Sequence, residues 1–309
     1  MTHSVKAITA FGVQHGCQPI VHEFPTKWPL GLDVLKAQFV AIKDHRLLAY
    51  QQPFIDELGP NFVMRLLGSW GYATTDPKNV EAILSTRFEG AQACMLQAAI
   101  SIFTRLIDFG MGMRRGALFP FVGEGIFTQD GAPWKHSREM LRRPFLKTRY
   151  QDLRGFSEHA DKLIAKLSPS SGVVDLQPLF FAFTLATTTA LIFGQSVETF
   201  ENDEQDSFAS SFDYASLISS LRVRLQDLYW AYNPSRYRAA CGRIKIFADG
   251  FVQRAMQEKA GATETESEGY AFIRELYEEL RDPALVRDQL VNVLLAGRDT
   301  TACLLSWTL

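Results

Sequence analysis

Apolar and polar positions alternate with a helical period along most of the chain. Leu35, Phe39, Ile42, Leu47 and Phe54, with polar residues between them, predict helix over Leu32–Leu58, interrupted near Pro53. The period then drops to two: Phe62, Met64 and Leu66 share one side of Asn61–Leu67, and Gly68-Ser69 turns the chain back into Trp70–Thr74, which makes a hairpin. Asp76-Pro77 opens a further helix with Val80, Ile83 and Leu84 on its inner face. Residues 1–31, which carry Pro25, Pro29 and Gly31, read as irregular. Further on, Tyr150–Leu167 is an amphipathic helix broken by Ser168-Pro169-Ser170-Ser171-Gly172, and Val173–Leu176 is a short extended piece. Pro178 opens an almost wholly apolar core helix that runs through Phe193 and ends at Gly194. The acidic run Glu198 to Asp206 reads as a solvated loop and helix start. Two helices follow, Ser207–Trp230 and Ser235–Lys259, separated by Asn233-Pro234. Phe208, Phe212, Leu217, Leu221, Leu225 and Leu228 stripe the first of these; the stripe suits core packing, and could also line an apolar channel. Gly261–Gly269 reads as a polar linker to a helix over Tyr270–Leu280. The fold class is therefore mainly α with a small β-hairpin region.

The last stretch, Asp282 to Leu309, organises the rest. Asp282 before Pro283 is a helix start, because the carboxylate can accept the orphan N–H groups of the first turn and proline has no donor to leave unpaired. From Leu290 onward the helix is apolar on nearly every side and should lie inside the protein. Ala296-Gly297-Arg298-Asp299-Thr300-Thr301 interrupts it. Ala296 and Gly297 remove side-chain bulk for about one turn, and the Thr300 hydroxyl can bond back to the Ala296 carbonyl and open the helix there. An acid beside a hydroxyl in such a notch suits proton delivery to a bound oxidant. The plain alternative is a buried helix with a satisfied Arg298/Asp299 pair. A membrane span fits less well, since Arg298 and Asp299 would each cost roughly 2.5–3.5 kcal/mol near its centre.

Upstream, Gly123-Glu124-Gly125-Ile126-Phe127 leads through a turn at Asp130-Gly131 into a helix from Pro133 that carries Trp134-Lys135-His136-Ser137-Arg138. Trp134 and Arg138 are four apart and share a helix face; an indole N–H and a guanidinium are donors only, so together they suit a carboxylate. A solvated basic face, with Lys135, Arg142 and Arg143 nearby, is the simpler reading of the same residues.

Composition narrows the class further. An apolar share of 47% is ample for a core, and a formal charge of −2 gives no reason to expect nucleic acid as a partner. Cys17, Cys94, Cys241 and Cys303 are scattered without metal-ligand spacing, so neither a zinc site nor a disulfide framework is indicated. No run of eighteen uninterrupted apolar residues occurs, and the N-terminus lacks the basic-then-apolar pattern of a signal peptide. A G-x-S-x-G elbow, a P-loop and an H-E-x-x-H motif are absent from the sequence. Gly110-Met111-Gly112 begins a dinucleotide-like fingerprint that fails at Arg115.

The A-G-R-D-T-T helix, the G-x-G-I-F segment followed by D-G and W-x-x-x-R, and the helix–hairpin–helix opening resemble the cytochrome P-450 monooxygenases. The texture is closest to the fungal microsomal class that hydroxylates n-alkanes and fatty acids. Leu66-Leu67-Gly68 and Thr74-Thr75-Asp76-Pro77 add to that likeness. The resemblance implies haem b as cofactor, with Trp134 and Arg138 on a haem propionate, Ala296 and Gly297 in the oxygen-binding turn, and Asp299 and Thr300 serving oxygen activation. It also implies an NADPH-dependent reductase and an apolar small-molecule substrate as partners, and the endoplasmic reticulum membrane as location. His136 is expected to pack or lie at the surface, the family's axial ligand being a cysteine.

The sequence departs from the family pattern in three places. No stretch like the family's N-terminal anchor is expected within this sequence, and the family's Glu-x-x-Arg helix and haem-cysteine loop would lie beyond Leu309, so residues 1–309 read as a single incomplete monooxygenase domain ending within the oxygen-binding helix. Glu139–Arg142 and Glu278–Arg281 fit E-x-x-R but precede that helix. Cys241 lacks the surroundings of the ligand cysteine and Cys303 lies on a helix, so no thiolate ligand is found in this chain, and the chain alone is expected to be inactive and poorly soluble. Residues 90–107 read as an insertion between Ser85–Glu89 and Asp108–Gly112; a genuine helix with Met95, Ala98, Ile102 and Leu106 on one face and a retained intron both account for it. The competing functional reading is a non-catalytic helical fragment or apolar-ligand-binding module.

Overall fold

The computed structural model describes residues 20–81, 83–84, 111–145, 154–167, 172–194, 196, 208–257 and 270–309. The insertion expected at 90–107, the break at 168–171, the acidic run 198–206, the linker 261–269, Cys17 and Cys94 lie outside the described residues. The described residues are mainly helical with one two-stranded antiparallel sheet. The chain divides into two units, residues 1–113 with 223–229, and residues 114–222 with 230–309.

In the first unit, helices α1 (Leu32–Lys43) and α2 (Leu47–Leu58) are followed by strands β1 (Asn61–Leu66) and β2 (Ser69–Thr74) and the short helix α3 (Pro77–Glu81). The helical run is broken at Asp44–Arg46 and not near Pro53, which sits inside α2. The break is a helix stop: His45 takes a left-handed φ of 54°, and the Arg46 N–H returns 2.7 Å to the Ala41 carbonyl. Pro53 is tolerated because it is exposed, where the lost N–H leaves a carbonyl that water can reach. The hairpin pairs Leu66 with Ser69, so the turn is Leu67-Gly68, one residue earlier than expected, with both residues at positive φ. Phe62 and Leu66 are buried and Met64 partly so, as the alternation predicts. A backbone bridge from Glu23 extends the sheet, with the Phe24 N–H 2.7 Å from the Val63 carbonyl, and Phe24, Val34 and Phe62 form a small core. Asp76 caps α3 through the Lys78 N–H at 2.8 Å; Val80 and Ile83 are partly buried, but Leu84 is 70% exposed and leaves the inner face.

The second unit comprises α4 (Met113–Val122), α5 (Gly131–Phe145), α6 (Arg154–Leu167), α7 (Leu176–Phe193), α8 (Phe208–Arg224), α9 (Ser235–Gln257), α10 (Ala271–Leu280) and α11 (Pro283–Thr308). Helix α11 packs against α7, α9 and α10 and is central to this unit. Asp282 accepts the Ala284 N–H at 2.8 Å and caps it as expected. Helix α7 opens at Leu176, two residues before Pro178, because Asp175 accepts the Gln177 N–H at 3.1 Å; it stops at Gly194, φ 73°. Nine of its residues are buried, and among the described residues it is the helix long and apolar enough to cross a membrane. The helix expected over Ser207–Trp230 ends at Arg224, and from Gln226, at a left-handed φ of 52°, the chain tightens into a 3-10 helix (Gln226–Ala231), so Leu228 is not on α8 and the stripe does not hold to one element or environment. Phe212 is fully buried beside Phe121 and Phe208 and Leu221 pack on the core, while Leu217 and Leu228 are 49% and 41% exposed.

The expectation that α11 is buried throughout needs correction. Its burial runs from Val286 to Leu294 and returns at Arg298 and Ala302, whereas Leu304 and Trp307 are 67% and 88% exposed. Nor does the Thr300 hydroxyl open the helix. It donates to the Ala296 carbonyl at 2.7 Å, yet α11 continues unbroken, because that oxygen has a second lone pair for the helical N–H.

Candidate functional site

A cavity of about 500 Å³ opens in the second unit, lined by Ile126, Phe127, Arg138, Leu141, Arg142, Thr188, Leu191, Asn292, Val293, Ala296 and Gly297. Helix α11 contributes the small Ala296 and Gly297, α7 contributes Thr188, and α5 contributes two arginines. Gly297 is small because α7 demands it: a Cβ there would stand 2.9 Å from both Cγ2 and Oγ1 of Thr188. Among the described residues neither Arg138 nor Arg142 is in an ion pair; the Arg138 guanidinium lies 5.3 Å from the Trp134 ring centroid, which keeps the two stacked on one helix face. Two donor-only cations at the edge of a largely apolar cavity suit an apolar ligand bearing carboxylates.

Of the residues singled out in the sequence, Arg138, Ala296 and Gly297 meet at this cavity. Trp134 is one turn behind Arg138. Asp299 and Thr300 are on α11 just past Gly297 and are not among the lining residues. Arg298 is buried with its guanidinium over Phe181 and Phe212; it bonds Asp299 at 2.9 Å and also pairs with Asp213 of α8. Burial pushes the Asp299 carboxyl above the usual carboxylate range; Arg298 pulls it back and Asp213 adds to the rise. His136 is a surface residue, 3.9 Å from Glu279. Cys241 is buried in the core with its thiol pushed up to about 11, chiefly by burial, so it is a protonated core residue and not a thiolate; Cys303 is exposed, and neither lines the cavity.

Sequence reasoning misses Asp288, Gln289 and Asn292. From α11, Asp288 and Asn292 project onto the loop Gly123–Thr128 and Gln289 onto α5. Asp288 accepts the Glu124 N–H at 2.8 Å, and Asn292 accepts the Phe127 N–H at 2.9 Å while donating to the Val122 carbonyl at 2.9 Å. Gln289 donates to Ser137 at 2.7 Å, which in turn donates to Gln129 at 2.6 Å. A Cβ on Gly123 would lie 2.1 Å from the Asp288 carboxylate and one on Gly125 2.3 Å from the Asn292 amide, which explains the glycines of the G-E-G-I-F segment. The signal is present in the sequence: three amide or acid side chains at i, i+1 and i+4 in a helix otherwise fit for burial must find buried partners.

A mainly helical fold brings an Ala-Gly helix turn and a Trp-supported arginine to one largely apolar cavity. The family model described as Cytochrome P450 matches residues 108–309, and the chain belongs to that family. It is 37% identical over 309 residues to "Cytochrome P450" of Arthroderma benhamiae, the match covering 97% of this chain and 54% of the relative. It is 33% identical over 322 residues to "Cytochrome P450 52A13" of Debaryomyces hansenii, covering 100% and 58%, and 37% identical over 257 residues to "Cytochrome P450 52A4" of Candida maltosa, covering 79% and 44%. The chain thus spans about half the length of the curated relatives it matches. Haem is the family's prosthetic group, and the residues present fit it: Arg138 and Arg142 would offer cationic donors to its propionates, and the small Ala296 and Gly297 leave the adjoining helix face free of bulk.

Proposed function

We propose that this chain carries the haem-facing and oxygen-binding part of a monooxygenase that hydroxylates long aliphatic chains, n-alkanes and fatty acids, with electrons from an NADPH-dependent reductase at the endoplasmic reticulum membrane. The carrying observation is the convergence of Arg138, Ala296 and Gly297 on one largely apolar cavity; the likeness to the 52A relatives supports the substrate class. Arg138, stacked on Trp134, would hold a haem propionate, with Arg142 beside it. Bound there, haem supplies the iron at which O2 is reduced and one oxygen atom is inserted into a C–H bond. The chain's own part is to exclude water with Ile126, Phe127, Leu141 and Val293, and to hold protons close by. Asp299, kept above the usual carboxylate range, is the proton carrier, and the Thr300 hydroxyl, turned onto the Ala296 carbonyl, is the group beside it.

Haem titration tests the reading. Haem should bind the full-length protein stoichiometrically, and Arg138→Leu should weaken it about tenfold or more, the scale of a lost charge-assisted hydrogen bond. Retention of dodecane without any haem uptake would instead identify an apolar-ligand-binding module.

A further inference from the structure

The contacts between α11 and the Gly123–Thr128 loop go beyond packing. Every polar atom of the Asn292 side chain is committed: Oδ1 accepts the Phe127 N–H, and Nδ2 donates to the Val122 carbonyl at 2.9 Å and to the Asp288 carbonyl at 2.7 Å. One turn earlier, Asp288 gives Oδ2 to the Glu124 N–H and Oδ1 to Arg287, which also reaches Asp249 of α9 at 3.4 Å. Thr128 closes the loop on itself, its hydroxyl donating 2.7 Å to the Gly123 carbonyl and accepting the Gly125 N–H at 2.9 Å. The loop is thus rigid within itself and fixed at two backbone N–H groups, with Ile126 and Phe127 carried between and after the fixed points. Those two residues line the cavity; Asp288 does not.

We propose that Asp288 and Asn292 are positioning residues that set the Ile126–Phe127 wall of the cavity by holding the loop through its backbone. The inference rests on the cavity being the ligand site. It assigns ligand fit partly to a residue, Asp288, that does not line the cavity. Because the latch grips backbone and not side chains, the identities of Ile126 and Phe127 are free to vary while their place is kept. The two glycines are the latch's other half, since a Cβ at Gly123 would occupy the space of the Asp288 carboxylate.

Asp288 is the residue to test, being outside the cavity lining. Amide hydrogen exchange of the full-length protein is compared for the parent, Asp288→Ala, Asp288→Asn and Gly123→Ala. In Asp288→Ala the amide of Glu124 should exchange about tenfold faster, that of Phe127, still held by Asn292, by less, and those of α7 not at all, because one hydrogen bond is lost locally. Asp288→Asn, which keeps an acceptor oxygen, should restore most of the protection, and Gly123→Ala should mimic the alanine variant. In the haem-loaded proteins, dodecanoate affinity read from the Soret shift should weaken several-fold in Asp288→Ala and recover in Asp288→Asn, at equal haem content. Unchanged exchange at Glu124, or an equal rise throughout α7, overturns the latch. Altered exchange with unaltered dodecanoate affinity overturns the positioning role. If the parent itself takes up no haem, the reading of the cavity fails, and the exchange arm still decides the latch by itself.

Discussion

At the scale of single residues, Gly297 carries two demands that separate experimentally. It faces the cavity, and a Cβ there would press on Thr188 at 2.9 Å. Overpacking of that kind costs about 1–3 kcal/mol, against about 1 kcal/mol gained by replacing a mid-helix glycine with alanine. Gly297→Ala should therefore destabilise the parent, yet in a Thr188→Ala background it should stabilise by about 1 kcal/mol. Urea denaturation of the four proteins checks the cycle, and an equal cost in both backgrounds refutes the contact. Asp299 gives a second prediction. Its carboxyl lies above the ordinary 3.8 in the folded chain, chiefly because it is buried. The folded state thus holds that proton more tightly than the unfolded state, so the contribution to stability is complete below 3.8 and is lost as pH rises through the raised value. Asp299→Asn lacks this titration. The parent should lose stability relative to the variant as pH climbs above 3.8; a difference that stays flat, or that grows in the parent's favour, refutes it. The local part of this site is legible in the sequence, because helix geometry alone fixes the Thr300-to-Ala296 bond. The grip of Asn292 on Phe127 is not, since its partner is 165 residues away.

At the scale of elements, legibility depends on whether the punctuation is written in side chains. Asp282-Pro283 and Asp76-Pro77 are helix starts in composition and in structure, because the capping oxygen and the missing donor are both properties of the residue. The end of α1 is the opposite case. His45 supplies the left-handed conformation that glycine usually marks, so the stop carries no compositional sign and the sequence points to Pro53 instead. Leu67 shifts the hairpin turn by one residue for the same reason. Helix α11 is legible as the organising helix from its length and apolarity. Its polar Asp288, Gln289 and Asn292 form no motif of their own, although they tie it to the loop and to α5. Motif places the alanine, the glycine and the arginine that meet at the cavity, whereas Thr188 and Leu191 join it only through the packing of α7 on α11.

At the scale of the whole molecule, the two units rest on unequal cores. The second has a continuous cluster running through α4, α5, α7, α8, α9, α10 and α11, with Phe121, Phe193, Phe212, Ile244, Leu276 and Leu290 essentially inaccessible. The first has Phe24, Val34 and Phe62 at its centre, joined by partly buried neighbours such as Phe54 and Met64. A two-stranded hairpin is marginal without a helix packed on it, and burial stabilises at about 25 cal/mol per Å2 of apolar area. The smaller core therefore leaves less to offset the cost of ordering its backbone, about 1–2 kcal/mol per residue. Opening should then be hierarchical. Under native conditions the amides of β1 and β2 should exchange through a lower-energy opening than those of α9 and the buried half of α11, with a smaller dependence on added urea because less surface is exposed. Exchange from the two sets through one opening of the same free energy and urea dependence would show that they unfold as a single cooperative body. Since the Phe62–Leu66 face is the main apolar contact of the paired strands, truncating Phe62 to alanine should lower the first opening energy by about 3–5 kcal/mol at most and leave the α9 amides where they were.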